Sequence, residues 1–182
     1  MTRDPYDRLT SAYIDKVVMV QAPPTNASDF LGGNGCGAAK QLIKKKHPLT
    51  KYPTFADFLE VLSEMELGTM DPHTFPFSYR CGTDKFKYDM VGRLTHFDSD
   101  MQTLFNAMNL GKYEAYHKKD LGADRNYDAM HTRIELLNKF KLRPDTLEMH
   151  GNERVHSFYD PHLRKLVSEG WWKEDVKQFG EF

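Results

Sequence analysis

Apolar residues recur at helical spacing along much of the chain. Between Pro5 and about Met19, Tyr6, Leu9, Tyr13, Ile14 and Val17 fall on one face. Asp4 supplies an N-cap there, and Pro5 suits the first helical position, where a missing N–H costs nothing. Thr54 precedes a second such face, made by Phe55, Phe58, Leu59, Leu62 and Met65. Asp98 and Ser99 open a third helix, with Met101, Leu104, Phe105 and Met108 expected inward. A basic helix over Ala38 to Lys46, a helix over Asn126 to Lys139, and closing segments around Pro161 to Val167 and Trp172 to Phe179 complete the helical set. Only Tyr88 to Leu94 alternates as a strand does. Gln21 to Gly35 has loop chemistry, Gly68 to Lys87 is irregular and aromatic-rich, and Gly111 to Asp124 is a polar connection. The pattern predicts a helix-rich α/β chain whose sheet is thinly represented. No internal repeat or domain boundary divides residues 1–182.

Composition narrows the class. A chain of 182 residues, 40% hydrophobic and 13% aromatic, can form one domain burying roughly 70% of its unfolded surface. A formal net charge of −1 gives no global reason to expect nucleic acid or an anionic membrane as partner. No apolar run approaches the ~20 residues of a membrane span, and no signal peptide precedes the first helix. Cys36 and Cys81 allow at most one internal disulfide and settle neither compartment nor metal binding.

The candidate chemistry begins at the start of the first helix. Arg3 stands just outside its N-terminus, and Ser11 lies about two turns inside. A guanidinium beside a helix N-terminus suits a phosphate or sulfate group. The plain alternative is a helix-start charge and a small packing residue. Arg8, one turn before Ser11, serves either the anion or the helix. His73, in the aromatic loop, is either an acceptor-site group or a structural histidine. Lys40, Lys44, Lys45, Lys46 and His47 form either a contact for an anionic glycan or, the favoured reading, a solvated face. The Gly-rich run from Leu31 to Lys40 lacks a Lys-Ser/Thr pair after its glycines, so it reads as a connection, not a phosphate loop. His150, His156 and His162 have a loose ligand-like spacing, but Pro161 interrupts any shared helix; no metal is expected. Trp171 and Trp172 read as packing residues before sugar platforms.

Three blocks in order share one resemblance. Arg3, Pro5, Arg8, Ser11, Ala12 and Tyr13 form R-x-P-x-x-R-x-x-S-A-Y, which resembles the 3′-phosphate motif of sulfotransferases using 3′-phosphoadenosine-5′-phosphosulfate (PAPS), most closely the Golgi carbohydrate sulfotransferases. His73, Pro76, Cys81, Tyr88, Asp89, Val91, Gly92 and Arg93 fall on the spacing of that family's H-W-x-P-x4-C-x6-Y-D-F-[IV]-G-[KR] segment, with Thr74 and Met90 departing from it. Asp84 stands where the family often has a second cysteine. Asp175, Phe179 and Gly180 resemble its D-x-x-x-F-G-Y ending, with Glu181 in place of the last aromatic.

The resemblance implies a P-loop-like three-layer α/β sulfotransferase fold, incomplete at its N-terminus, in a single domain over 1–182 that lacks the 5′-phosphosulfate-binding part. It implies transfer of a sulfuryl group from PAPS to a hydroxyl of a carbohydrate acceptor, with Arg3, Ser11 and Arg8 binding the cofactor and His73 on the substrate side. It names no catalytic base, because the family's donor loop would lie upstream. It further implies Golgi membrane localisation of the parent protein, without an anchor in this chain, and either a homo-oligomer or a missing N-terminal part as partner. The alternative is a catalytically inactive sulfotransferase-like module for binding or interaction.

Overall fold

The computed structural model describes residues 2–18, 53–83, 85–110, 141–142 and 151–180. Its first helix, α1 (Pro5–Tyr13), begins where the cap chemistry requires: the Asp4 carboxylate accepts from the backbone N–H groups of Tyr6 and Asp7, at 2.9 and 3.0 Å. The apolar face predicted for it is buried, Leu9 and Tyr13 completely. Beyond Tyr13 the chain widens into one π-helical turn, Ile14–Val18, which keeps Ile14, Val17 and Val18 in the core.

Helix α2 (Phe55–Glu64) starts at a reciprocal capping box. Thr54 Oγ1 accepts from Asp57 N, and the Asp57 carboxylate accepts from Thr54 N. Two further helices lie between here and residue 110: α3 (Phe77–Cys81), five residues long, and α4 (Phe97–Ala107). The C-terminal group comprises α5 (Gly151–Phe158), α6 (Pro161–Glu169), capped by Asp160, and α7 (Lys173–Phe179). Helix α1 packs against α5, α2 and α7, while α6 packs on α2 and α7.

Aromatic rings fill the centre. Phe55 meets Tyr13, Phe158 and Tyr159 edge-on, with centroids 5.3, 5.1 and 4.9 Å away. These distances suit ring quadrupoles that favour edge-to-face contact. The polar tips of the rings find backbone acceptors: Tyr13 Oη donates to Pro53 O at 2.8 Å, Tyr159 Oη to Tyr6 O at 3.1 Å, and Trp172 Nε1 to Thr74 O at 2.7 Å. Trp172 is wholly buried, as a packing residue should be. Desolvation pushes the Tyr13 and Tyr159 phenols well above their ordinary pKa, and that of Tyr6 upward as well.

The sheet differs from expectation. Among the described residues there is no strand. The segment predicted as one makes a single parallel bridge, Thr2 with Arg93: Thr2 N donates to Gly92 O at 2.7 Å, and Leu94 N to Thr2 O at 2.8 Å. A strand owes its hydrogen bonds to a neighbour, and Thr2 is the only pairing residue beside this segment among those described. Tyr88, Met90, Val91 and Leu94 therefore stay exposed in spite of their alternation. Helix α4 sits next to the bridge, where Asp100 accepts from Arg93 N at 2.6 Å; its apolar side chains Met101, Leu104 and Phe105 are half-buried, and Met108 is exposed. The helices predicted over Ala38 to Lys46 and Asn126 to Lys139, and the loops of Gln21 to Gly35 and Gly111 to Asp124, lie outside the described residues. Among the described residues no helix is long and apolar enough to cross a membrane.

Candidate functional site

The bridge between residues 2 and 93 fixes the point from which α1 departs, and Arg3 stands at that point. Asp7 and Ser11 are four residues apart on one face of α1, and Arg3, just ahead of the N-cap Asp4, reaches back along that face. The Arg3 guanidinium donates from Nε to the Asp7 carboxylate and from Nη2 to Ser11 Oγ, the latter at 2.8 Å. Among the described residues no acceptor meets its Nη1. The side chain keeps 31% of its surface exposed, against 14% for Asp7. Arg3 and Ser11, the pair singled out in the sequence, are thus joined directly. Asp7 was missed, although the same four-residue spacing contains it.

The helix terminus itself is already occupied. Asp4 takes the N–H groups of Tyr6 and Asp7, so an anion arriving at this end of α1 meets the guanidinium and hydroxyl on the helix flank instead of the terminal amides.

Arg8 lies elsewhere. Its guanidinium is buried against α7, where Nη2 donates to Asp175 at 2.9 Å and the charge stacks 4.4 Å from the centre of the Phe77 ring. Asp175 is fully buried and also accepts from the backbone N–H groups of Phe77 and Ser78, both at 2.7 Å. One carboxylate therefore neutralises Arg8 and caps α3. Burial lowers the Arg8 pKa, and the charge and hydrogen bond of Asp175 oppose that drop. Helix α3 and the Asp175 cap escaped sequence reading because the partners are 97 and 98 residues apart.

His73 occupies a turn ahead of α3. Its side chain is 57% exposed, and Nδ1 lies 2.6 Å from the buried Asp71 carboxylate. A carboxylate can only accept, so Nδ1 carries the proton and Nε2 presents a lone pair when the ring is neutral. Asp71 is a second partner that the sequence did not reveal. Beyond α3, a cleft of about 400 Å³ is lined by Tyr79, Trp171, Lys173, Glu169, Glu174 and Ser63. Tyr79 and Trp171 form an edge-to-face corner with ring centres 6.5 Å apart. Cys81 is a free thiol, half-buried. His156 bonds Arg164. The Leu31–Lys40 run, the Lys40–His47 cluster, Cys36 and His150 lie outside the described residues.

A family model described as the sulfotransferase family matches residues 1–180. The chain belongs to the sulfotransferase family, and with that to the transferases. No curated protein and no solved structure gives a significant match.

Proposed function

We propose that the protein transfers a sulfuryl group from PAPS to a hydroxyl of a carbohydrate acceptor, gripping the 3′-phosphate of the donor with Arg3 and Ser11. The observation that carries this reading is the Arg3–Ser11 contact of 2.8 Å, which holds a partly exposed guanidinium with no described residue at its Nη1 end. A guanidinium fork matches phosphate oxygens in shape and charge. Bound PAPS supplies the reactive sulfuryl group. In the transfer, the acceptor oxygen bonds to sulfur, the bond from sulfur to the nucleotide phosphate oxygen breaks, and the acceptor proton passes to a base. Such chemistry depends on positioning and on stabilising peripheral oxygens. The α/β fold of the resemblance is part of this reading, and the isolated parallel bridge between Thr2 and Arg93 is the feature of the described residues that supports it.

On the acceptor side, His73 offers Nε2 to a hydroxyl while Asp71 holds its tautomer. The Tyr79–Trp171 corner has the aromatic surface that sugar rings stack on. Arg8 contributes through the placement of α1, since its guanidinium is committed to Asp175. The likeness to Golgi enzymes extends the proposal to that compartment.

Calorimetry with adenosine 3′,5′-bisphosphate tests the reading. Binding is expected for the wild-type chain and is expected to weaken by about tenfold or more in Arg3→Ala, the scale of losing a charge-assisted pair. Equal affinity in both proteins would refute the phosphate site.

A further inference from the structure

Arg3 is held on one side only. Its Nε–H is taken by Asp7 and one Nη2 hydrogen by Ser11, while no described residue meets Nη1. We infer that Asp7 is a positioning residue for the donor nucleotide: it clamps the Nε side of the Arg3 guanidinium, so that the Nη1 end is already aligned for the 3′-phosphate before the ligand arrives. This rests on the phosphate-site reading above and adds to it the residue that sets the selectivity for a 3′-phosphate.

Two physical arguments favour a clamp over a competitor. An unrestrained arginine gives up the freedom of four side-chain torsions when it binds an anion, and an i,i+4 bridge to a carboxylate in the first turn of α1 removes part of that loss beforehand. The carboxylate also meets the guanidinium at Nε, away from the Nη1 end, so delocalised positive charge lies between it and an anion bound there. Asp7 is secured in its place independently of Arg3. Its N–H is held by Asp4, and a carboxylate in the first helical turn is favoured by the helix dipole. Ser11 adds a second hold through Nη2 at 2.8 Å, and no described residue meets Nη1.

The test compares binding of adenosine 3′,5′-bisphosphate and adenosine 5′-phosphate to the full chain by calorimetry, with thermal melts as a control for folding. Asp7→Ala should lose about tenfold in affinity for the bisphosphate and nothing for the monophosphate, the size expected for one pre-set charge-assisted contact. Asp7→Asn should restore the bisphosphate affinity, because its amide oxygen still accepts from Nε. A residue that merely supports the fold would lower both affinities together and would not be rescued selectively.

Tighter bisphosphate binding in Asp7→Ala would make Asp7 a competitor and overturn the inference, as would no change. If Arg3→Ala abolishes the preference for the bisphosphate while Asp7→Ala keeps it, the phosphate site stands and the clamp falls. If Arg3→Ala itself keeps the preference, the site and the clamp fall together. Should Asp7→Ala fail to melt cooperatively, Asp7→Ser is read in its place, with the same expected loss and the same refuting results.

Discussion

At the scale of single residues, Arg3 just before α1 and Arg8 within it show the same side chain used in two ways. Arg3 keeps a third of its surface in water and is bound on one side. Arg8 is enclosed, with 10% of its side chain exposed, and is matched by a carboxylate that is 1% exposed. Nothing local separates them in the sequence; the difference comes from Asp175, 167 residues away. Removing one member of a buried pair leaves the other charge without compensation, and that costs about 3–5 kcal/mol. Asp175→Ala is therefore expected to destabilise the fold by about that amount in urea unfolding, and to uncap α3 at the same time. Asp175→Asn should cost less, since its amide oxygen still accepts one of the α3 N–H groups. The i,i+8 relation of Arg3 and Ser11 was readable because it spans a helix start that the sequence marks with its cap. The Asp71–His73 contact, although only two residues long, was not: a turn's side-chain pairing follows from its backbone dihedrals, which composition does not give.

At the scale of elements, helix starts were legible and short or pairing-dependent elements were not. Asp4-Pro5, Thr54 and the Asp160-Pro161 step all carry their own hydrogen-bond acceptors, and each marks the true beginning of a helix. Helix α3 has no side-chain cap of its own and ends at Gly82, whose φ of +61° places it in the left-handed region. Helix α5 was also missed; no side chain in its first turn marks its start as Asp4, Thr54 and Asp160 do for others. The Tyr88–Leu94 alternation was real as a pattern, yet a strand exists only through its neighbour. The capping box of α2 gives a direct check. Thr54→Ala removes the acceptor for Asp57 N and loosens the return bond, so it should lower stability by about 1 kcal/mol, visible as a shift in denaturation midpoint without a change in slope.

At the scale of the whole molecule, the described residues hold together through rings and a few buried polar links, and three phenols in that core retain their protons more firmly than free tyrosine does. Tyr6, Tyr13 and Tyr159 all have raised pKa values, with burial as the leading cause. The sign follows from linkage. Below about pH 10, the unfolded-state value, each phenol is neutral in both states and their contribution is intact. As pH rises further, the unfolded chain ionises first, and stability falls toward the folded-state values by up to about 1.4 kcal/mol per pH unit for each phenol. Melting temperatures measured from pH 9 to 11.5 should decline with a slope that Tyr13→Phe makes shallower. A slope identical in that variant would show that other groups govern alkaline unfolding.

The Arg8–Asp175 link spans 167 residues, and this has a consequence for how the protein is made. During synthesis α1 leaves the ribosome long before α7, so Arg8 must wait with its charge in water until Asp175, 167 residues on, is produced. Helix α1, which follows Arg3 and bears Ser11, can take its final seat only when its distant partner emerges. Contacts of such long range slow folding, because the loop must close before any contact rewards it. The proposed 3′-phosphate site is thus among the last parts of these residues to mature, since α1 reaches its finished geometry only after α7 has docked.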